Sequence, residues 1–103
     1  MSKEDVVNHP SHYADTCSLE CIQVMKLFFG EKAVIQFCLC NCFKYMWRYK
    51  HKNGQEDLKK ARWYLNTAYD MKVYFSAEQA NEIYPRIKEL LDELEGGEDF
   101  ESK

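Results

Sequence analysis

The run AVIQFCLCNCFKYMWRY, from Ala33 to Tyr49, limits what this chain can fold into more than any other stretch. At helical spacing Ile35, Leu39, Cys42 and Met46 make one apolar stripe, and Cys40, Phe43 and Trp47 make a second. A helix apolar on nearly every side is expected at the centre of a bundle. Its polar exceptions are Asn41, Lys44 and Arg48, which recur at steps of three and four and form one row along the helix. His51 continues the row if the helix persists. Taking such a row out of water costs free energy unless it meets a partner, a cleft or a ligand. The alternative is that Lys44 and Arg48 reach solvent at the C-terminal end of the helix, where cations are also favoured.

The flanking segments supply neighbours for that helix. Ser18 can cap LECIQVMKLFF, and Gly30 can stop it. Asn53-Gly54 is a turn signal, after which Glu56 and Asp57 suit the first turn of a third helix. The second and third helices therefore make an antiparallel αα-hairpin. SAEQ (Ser76 to Gln79) has the capping-box pattern, and Pro85 either kinks the segment that follows or opens a new helix. Ile83, Ile87, Leu90, Leu91 and Leu94 give that segment an apolar stripe, with enough surplus to predict self-association as a homo-oligomer. No strand-like alternation of useful length occurs.

The predicted fold is all-α: a small helical bundle of four to five helices round a central αα-hairpin, with an ordered N-terminal loop. One helical domain spans residues 1–95, with the loop at 6–17, helices at 18–29, 32–50, 56–74 and 77–95, and an acidic disordered tail at 96–103. A chain of 103 residues suits a single domain.

Charge narrows the function. The net charge is −3, yet Lys44, Arg48, Lys50, Lys52, Lys59, Lys60 and Arg62 fall within one short stretch against only Glu56 and Asp57. A basic centre in an acidic chain suits a compact anion such as a nucleotide, and argues against long nucleic acid. The N-terminus is polar and every apolar run is interrupted, so no export signal and no membrane partner are expected. Cys17, Cys21, Cys38, Cys40 and Cys42 then point to a reducing cytoplasm. Two pairs are one helical turn apart and could in principle offer thiolates to zinc. Burial as small apolar residues is the expected role, and no metal site is predicted.

There is no GxxxxGK[ST] loop, no HExxH and no nucleophile elbow. What remains is the basic row flanked by Tyr45 and Trp47, and a second basic face of Lys59, Arg62 and Asn66 beside Trp63. The N-terminal VNHPSHY adds His9, His12 and Tyr13 close together.

VNHPSHY, ECIQVM and NCFKYMWRYKHKNGQEDLKKARWYLN, in that order, resemble a group of small bacteriophage proteins with the pattern VNHPxHY, ECI, KYxWR and DLxKAxWYL. The group includes a lytic coliphage nucleotide kinase that acts on deoxynucleoside monophosphates without a Walker P-loop. The resemblance implies a phage protein working in the host cytoplasm, with His9, His12 and Tyr13 in one motif. Asn41, Lys44, Tyr45, Trp47 and Arg48 fall in a second, and Asp57, Lys60, Trp63 and Tyr64 in a third. On that reading Lys44 and Arg48 hold phosphate oxygens, and Tyr45, Trp47 or Trp63 stacks on the base. His9 or His12 serves as general acid/base, and Mg2+ enters with the nucleotide if the protein is an enzyme. Two other functions use the same sequence: a sponge that sequesters a host signalling nucleotide, and an inhibitor that docks on a host enzyme through Glu89, Asp92 and Glu93.

Overall fold

The computed structural model describes residues 18–96, and within them the chain is all-α. Helix α1 spans Leu19–Phe29, α2 Glu31–Arg48, α3 Gln55–Tyr69 and α4 Tyr84–Glu95. The expected loop at 6–17 and all but the first residue of the acidic tail lie outside the described residues.

Local chemistry accounts for the boundaries. The Ser18 hydroxyl accepts a 3.0 Å hydrogen bond from the Cys21 amide and caps α1. Gly30 separates α1 from α2 at φ +89°, a conformation that side chains with a Cβ avoid. The α-helical part of α2 ends at Arg48, and a 3-10 turn at Tyr49–His51 tightens the exit, so the helix expected to residue 50 closes slightly early. Gly54, at φ +56°, donates to the Tyr49 carbonyl at 2.8 Å and turns the chain into α3. The third helix stops at Tyr69, short of residue 74, with a separate 3-10 turn at Lys72–Tyr74.

Ser76 and Gln79 form the capping box in both directions, at 2.9 and 3.0 Å. The segment expected as a uniform helix over 77–95 then widens into a π turn at Gln79–Ile83, and Pro85 sits in the first turn of α4. Proline has no amide hydrogen, and its ring crowds the carbonyl four residues back. A wider turn just before it relieves that conflict.

The core is centred on the α2–α3 hairpin. Val34, Ile35, Cys38, Leu39, Cys42, Tyr45 and Met46 of α2 are buried against Leu58, Ala61, Tyr64, Leu65 and Ala68 of α3. Ala61 and Ala68, one small residue every two turns, let the two helix backbones approach closely. The first predicted stripe is therefore the core seam. The second is not: Phe43 is 51% and Trp47 76% exposed, and Cys40 also faces water. The Cα trace is 16 Å along its thinnest axis, which admits two helix layers of about 10 Å each and leaves no room to enclose a helix. One side of α2 stays uncovered.

Helix α4 packs on the hairpin through Leu91, with Ile83, Tyr84, Ile87 and Leu94 half-buried against the same core. Of the apolar surplus that predicted self-association here, Leu90 is the large side chain left mainly in water. Arg62 of α3 grips this helix, with Nη2 at 2.6 Å from both Asp92 and Glu95 and Nε at 3.2 Å from Glu95. The face expected to offer Arg62 to a ligand thus holds two helices together. Asp92 also accepts from Lys88 at 2.9 Å, so the acidic helix carries its own counter-charges.

Hydrogen bonds from Arg62 and then Lys88 hold the Asp92 carboxyl below its ordinary range. A carboxyl lowered by folding stabilises the folded state above its unfolded pKa of about 3.9, and that contribution fades as pH falls through the lower folded value. Arg62→Ala should cost about 1 kcal/mol at neutral pH. Thermal melts should show a Tm lower by about 4–8 °C at pH 7. The gap should narrow on acidification below about pH 4, and a gap that widened there would contradict the clamp.

Candidate phosphate-binding face

Asp57 is the polar residue on which the open end of the hairpin is built. It is 0% exposed and lies in the first turn of α3, where the helix dipole favours a negative charge. Arg48 at the end of α2 donates to it twice, Nε to Oδ2 at 3.1 Å and Nη2 to Oδ1 at 3.2 Å. Asn53 in the turn adds its backbone amide at 3.2 Å and its side-chain amide at 3.3 Å. Burial alone would raise the Asp57 carboxyl, but the hydrogen bonds from Arg48 and Asn53 outweigh it and hold the group below the usual carboxylate range.

Beside this pair the hairpin presents cations over an aromatic floor. Lys44 Nζ lies 4.5 Å, Arg48 Cζ 4.8 Å and Lys60 Nζ 5.6 Å from the centroid of the Tyr45 ring. Two of the three come from α2 and one from α3, so the hairpin itself brings them together. Beneath them Tyr45 stacks on Tyr64 with ring centroids 5.9 Å apart and planes 11° from parallel. Phe37 and Trp63 meet Tyr64 edge-on at 6.0 and 5.0 Å. The Lys44 ammonium is exposed and makes no salt bridge among the described residues.

The sequence-predicted site residues divide into several groups. Lys44, Arg48 and Lys60 converge. The Arg48 fork expected on a phosphate is engaged by Asp57, so its bidentate geometry serves the hairpin. Tyr45 was expected to stack on a base, yet its ring is fully buried against Tyr64 and offers no open face. Asn41 turns its amide to the Phe37 carbonyl at 3.0 Å, within its own helix. Trp63 is half-buried, edge-on to Tyr64. Trp47 keeps an open ring, tilted onto Phe43 at 6.0 Å. His9, His12 and Tyr13 lie outside the described residues.

Asn53 was visible in the sequence only as half of a turn signal. Its second role, as a donor to a buried carboxylate, depends on Asp57 lying four residues on, at the start of a helix.

Cys38 and Cys42 are buried, and burial pushes the Cys42 thiol up to about 12, so it stays protonated at neutral pH. Among the described residues no group of three or more His, Cys, Asp or Glu side chains is placed to hold a metal ion. None of the described helices is long and apolar enough to cross a membrane.

The fold and this face define a small all-α domain built on a buried ion pair, with a cation cluster at one end of its central hairpin. Residues 7–66, more than half of the chain, match the family described as a protein of unknown function, DUF3310, and the chain belongs to that family. No curated protein and no solved structure matches it.

Removing one partner of a buried pair strands the other, so Asp57→Ala should lower unfolding stability by about 3 kcal/mol. Urea titration checks this, with the exposed neighbour Glu56→Gln expected within about 0.5 kcal/mol of wild type. Asp57 is a lowered carboxyl, so its contribution is present above the unfolded pKa of about 3.9 and is lost as pH falls through its folded value.

Proposed function

We propose that this protein binds a phosphorylated small molecule, most specifically a nucleotide, on the face where Lys44, Arg48 and Lys60 surround Tyr45. The observation that carries the reading is the convergence of three cations from two helices within 5.6 Å of one ring centroid. A charge cluster of this density repels itself, and an anion with several oxygens relieves it. Lys44 is the leading phosphate contact, with Lys60 facing it from α3. Arg48, held in place by Asp57, adds a fixed positive charge.

Trp47 supports the nucleotide reading over bare phosphate. It sits three residues beyond Lys44, 76% exposed, and an open indole can stack on a base. Such stacking is worth about 1–3 kcal/mol per base. A phosphate held by the lysines and a base on the indole would be roughly one helical turn apart, about 5 Å along α2.

Binding without turnover is the better-supported form. Phosphoryl transfer needs charge neutralisation and a positioned nucleophile. The carboxylate beside the cluster, Asp57, already accepts four hydrogen bonds from Arg48 and Asn53. The function is then that of a nucleotide sponge, the form a phage protein would use to blunt a host signal. In the kinase form that the resemblance implies, magnesium would arrive on the nucleotide phosphates, and His9 or His12 would handle the proton.

A thermal-shift screen against nucleoside mono-, di- and triphosphates and cyclic dinucleotides, with and without magnesium, tests this. Chromatography of the recovered ligand accompanies each hit. At least one nucleotide should stabilise the protein and return unaltered. A Lys44→Ala, Lys60→Ala double variant, folded by circular dichroism, should bind it at least about tenfold more weakly, equivalent to about 1.4 kcal/mol. A ligand returned phosphorylated would replace the sponge with the kinase. Undiminished binding by the double variant would overturn the assignment of the site.

A further inference from the structure

Helix α1 is eleven residues long and buries one of them, Ile22. Its other apolar side chains point largely into water: Leu19 is 59% exposed, Val24 48%, Leu27 85%, Phe28 76% and Phe29 68%. A helix this short is marginal in water on its own, since isolated helices below about 12–15 residues rarely persist. It needs apolar cover, and within the described residues α2 supplies only part of it. We propose that the cover is a second copy of this chain, joined across the exposed face of α1 in a two-fold symmetric dimer.

Area and charge both favour this occupant. A phenylalanine or tryptophan side chain presents about 150–250 Å². Phe28 and Phe29 with Leu19, Val24 and Leu27 therefore leave on the order of 500 Å² of apolar surface in water, as large as the largest patch on a typical monomer, about 300–600 Å². Phe43 and Trp47, exposed on the adjoining helix, bring the apolar surface of this arm toward the roughly 800 Å² that each partner contributes to a stable interface.

In a two-fold dimer the same patch meets itself, so a patch with net charge would repel its copy. Helix α1 carries one acid, Glu20, and one base, Lys26, and neither makes a salt bridge among the described residues. The face is neutral and can meet its own image. An anionic lipid surface would instead favour a helix with several basic residues flanking its apolar side.

Sedimentation velocity of the full chain over a range of concentrations tests the proposal. Wild type should sediment as a dimer. Leu27→Asp should raise the dimer dissociation constant at least tenfold, with unchanged helicity by circular dichroism, because this side chain packs little in the monomer. Leu90→Asp, on α4, should leave the dimer intact. A dimer unaffected by Leu27→Asp would overturn the proposal, as would a wild type monomeric at every concentration. In the latter case pelleting with vesicles would assign the face to lipid, and protection of α1 from hydrogen exchange in the monomer would assign it to residues 1–17. The double lysine variant should dimerise normally, so failure here and failure of nucleotide binding are separate results.

Discussion

The buried pair between Arg48 and Asp57 sets the geometry of everything described at the open end of this molecule. It joins the last turn of α2 to the first turn of α3, and Asn53 ties the intervening turn to the same carboxylate. A carboxylate with no solvent contact is tolerable only because it accepts four hydrogen bonds, two of them from a guanidinium. The consequence is a hairpin whose two helices have fixed relative rotation at that end. Tyr45 is thereby brought parallel to Tyr64, and Lys44 and Lys60 are brought to the same ring.

This division of labour changes how the KYxWR and DLxKAxWYL patterns are understood. Much of each pattern serves the hairpin. Arg48 and Asp57 form its ion pair, Tyr45 and Tyr64 its aromatic layer, and Leu58, Ala61 and Leu65 its seam. Lys44, Trp47 and Lys60 stand at its surface, and these carry the proposed ligand chemistry. A motif dense in charged and aromatic residues can therefore be mostly scaffold, with function resting on the few positions that packing does not demand.

The stripe of Ile35, Leu39, Cys42 and Met46 was legible because its 3.6-residue period admits only a helix with one buried side. The Asn53-Gly54 turn was legible because Gly54 adopts a positive φ there. The side of α2 that would remain in water was not, since that depends on how many neighbours a two-layer bundle provides, which α2 alone does not encode. Nor was the use of the Arg48 fork. At the sequence level a cation near a helix C-terminus can reach solvent, grip a phosphate or pair with a carboxylate, and only the register of α3 selects Asp57. The π turn before Pro85 arises from a steric conflict within the backbone, for which hydrophobic periodicity leaves no trace. The convergence of Lys60 on Tyr45 follows from the same register, so the cation cluster is tertiary information even though each member stood out by its charge.

The central claim is that a phosphorylated ligand sits against the Tyr45 end of the hairpin. Its most direct test is a titration of the isotope-labelled protein with the tightest-binding nucleotide, followed by two-dimensional amide correlation NMR. The account predicts shift changes concentrated in two separate stretches, residues 41–48 and 57–64, with the Trp47 indole signal moving alongside the Lys44 amide. Shifts confined to α1 or α4, with both hairpin stretches unmoved at saturation, would contradict it.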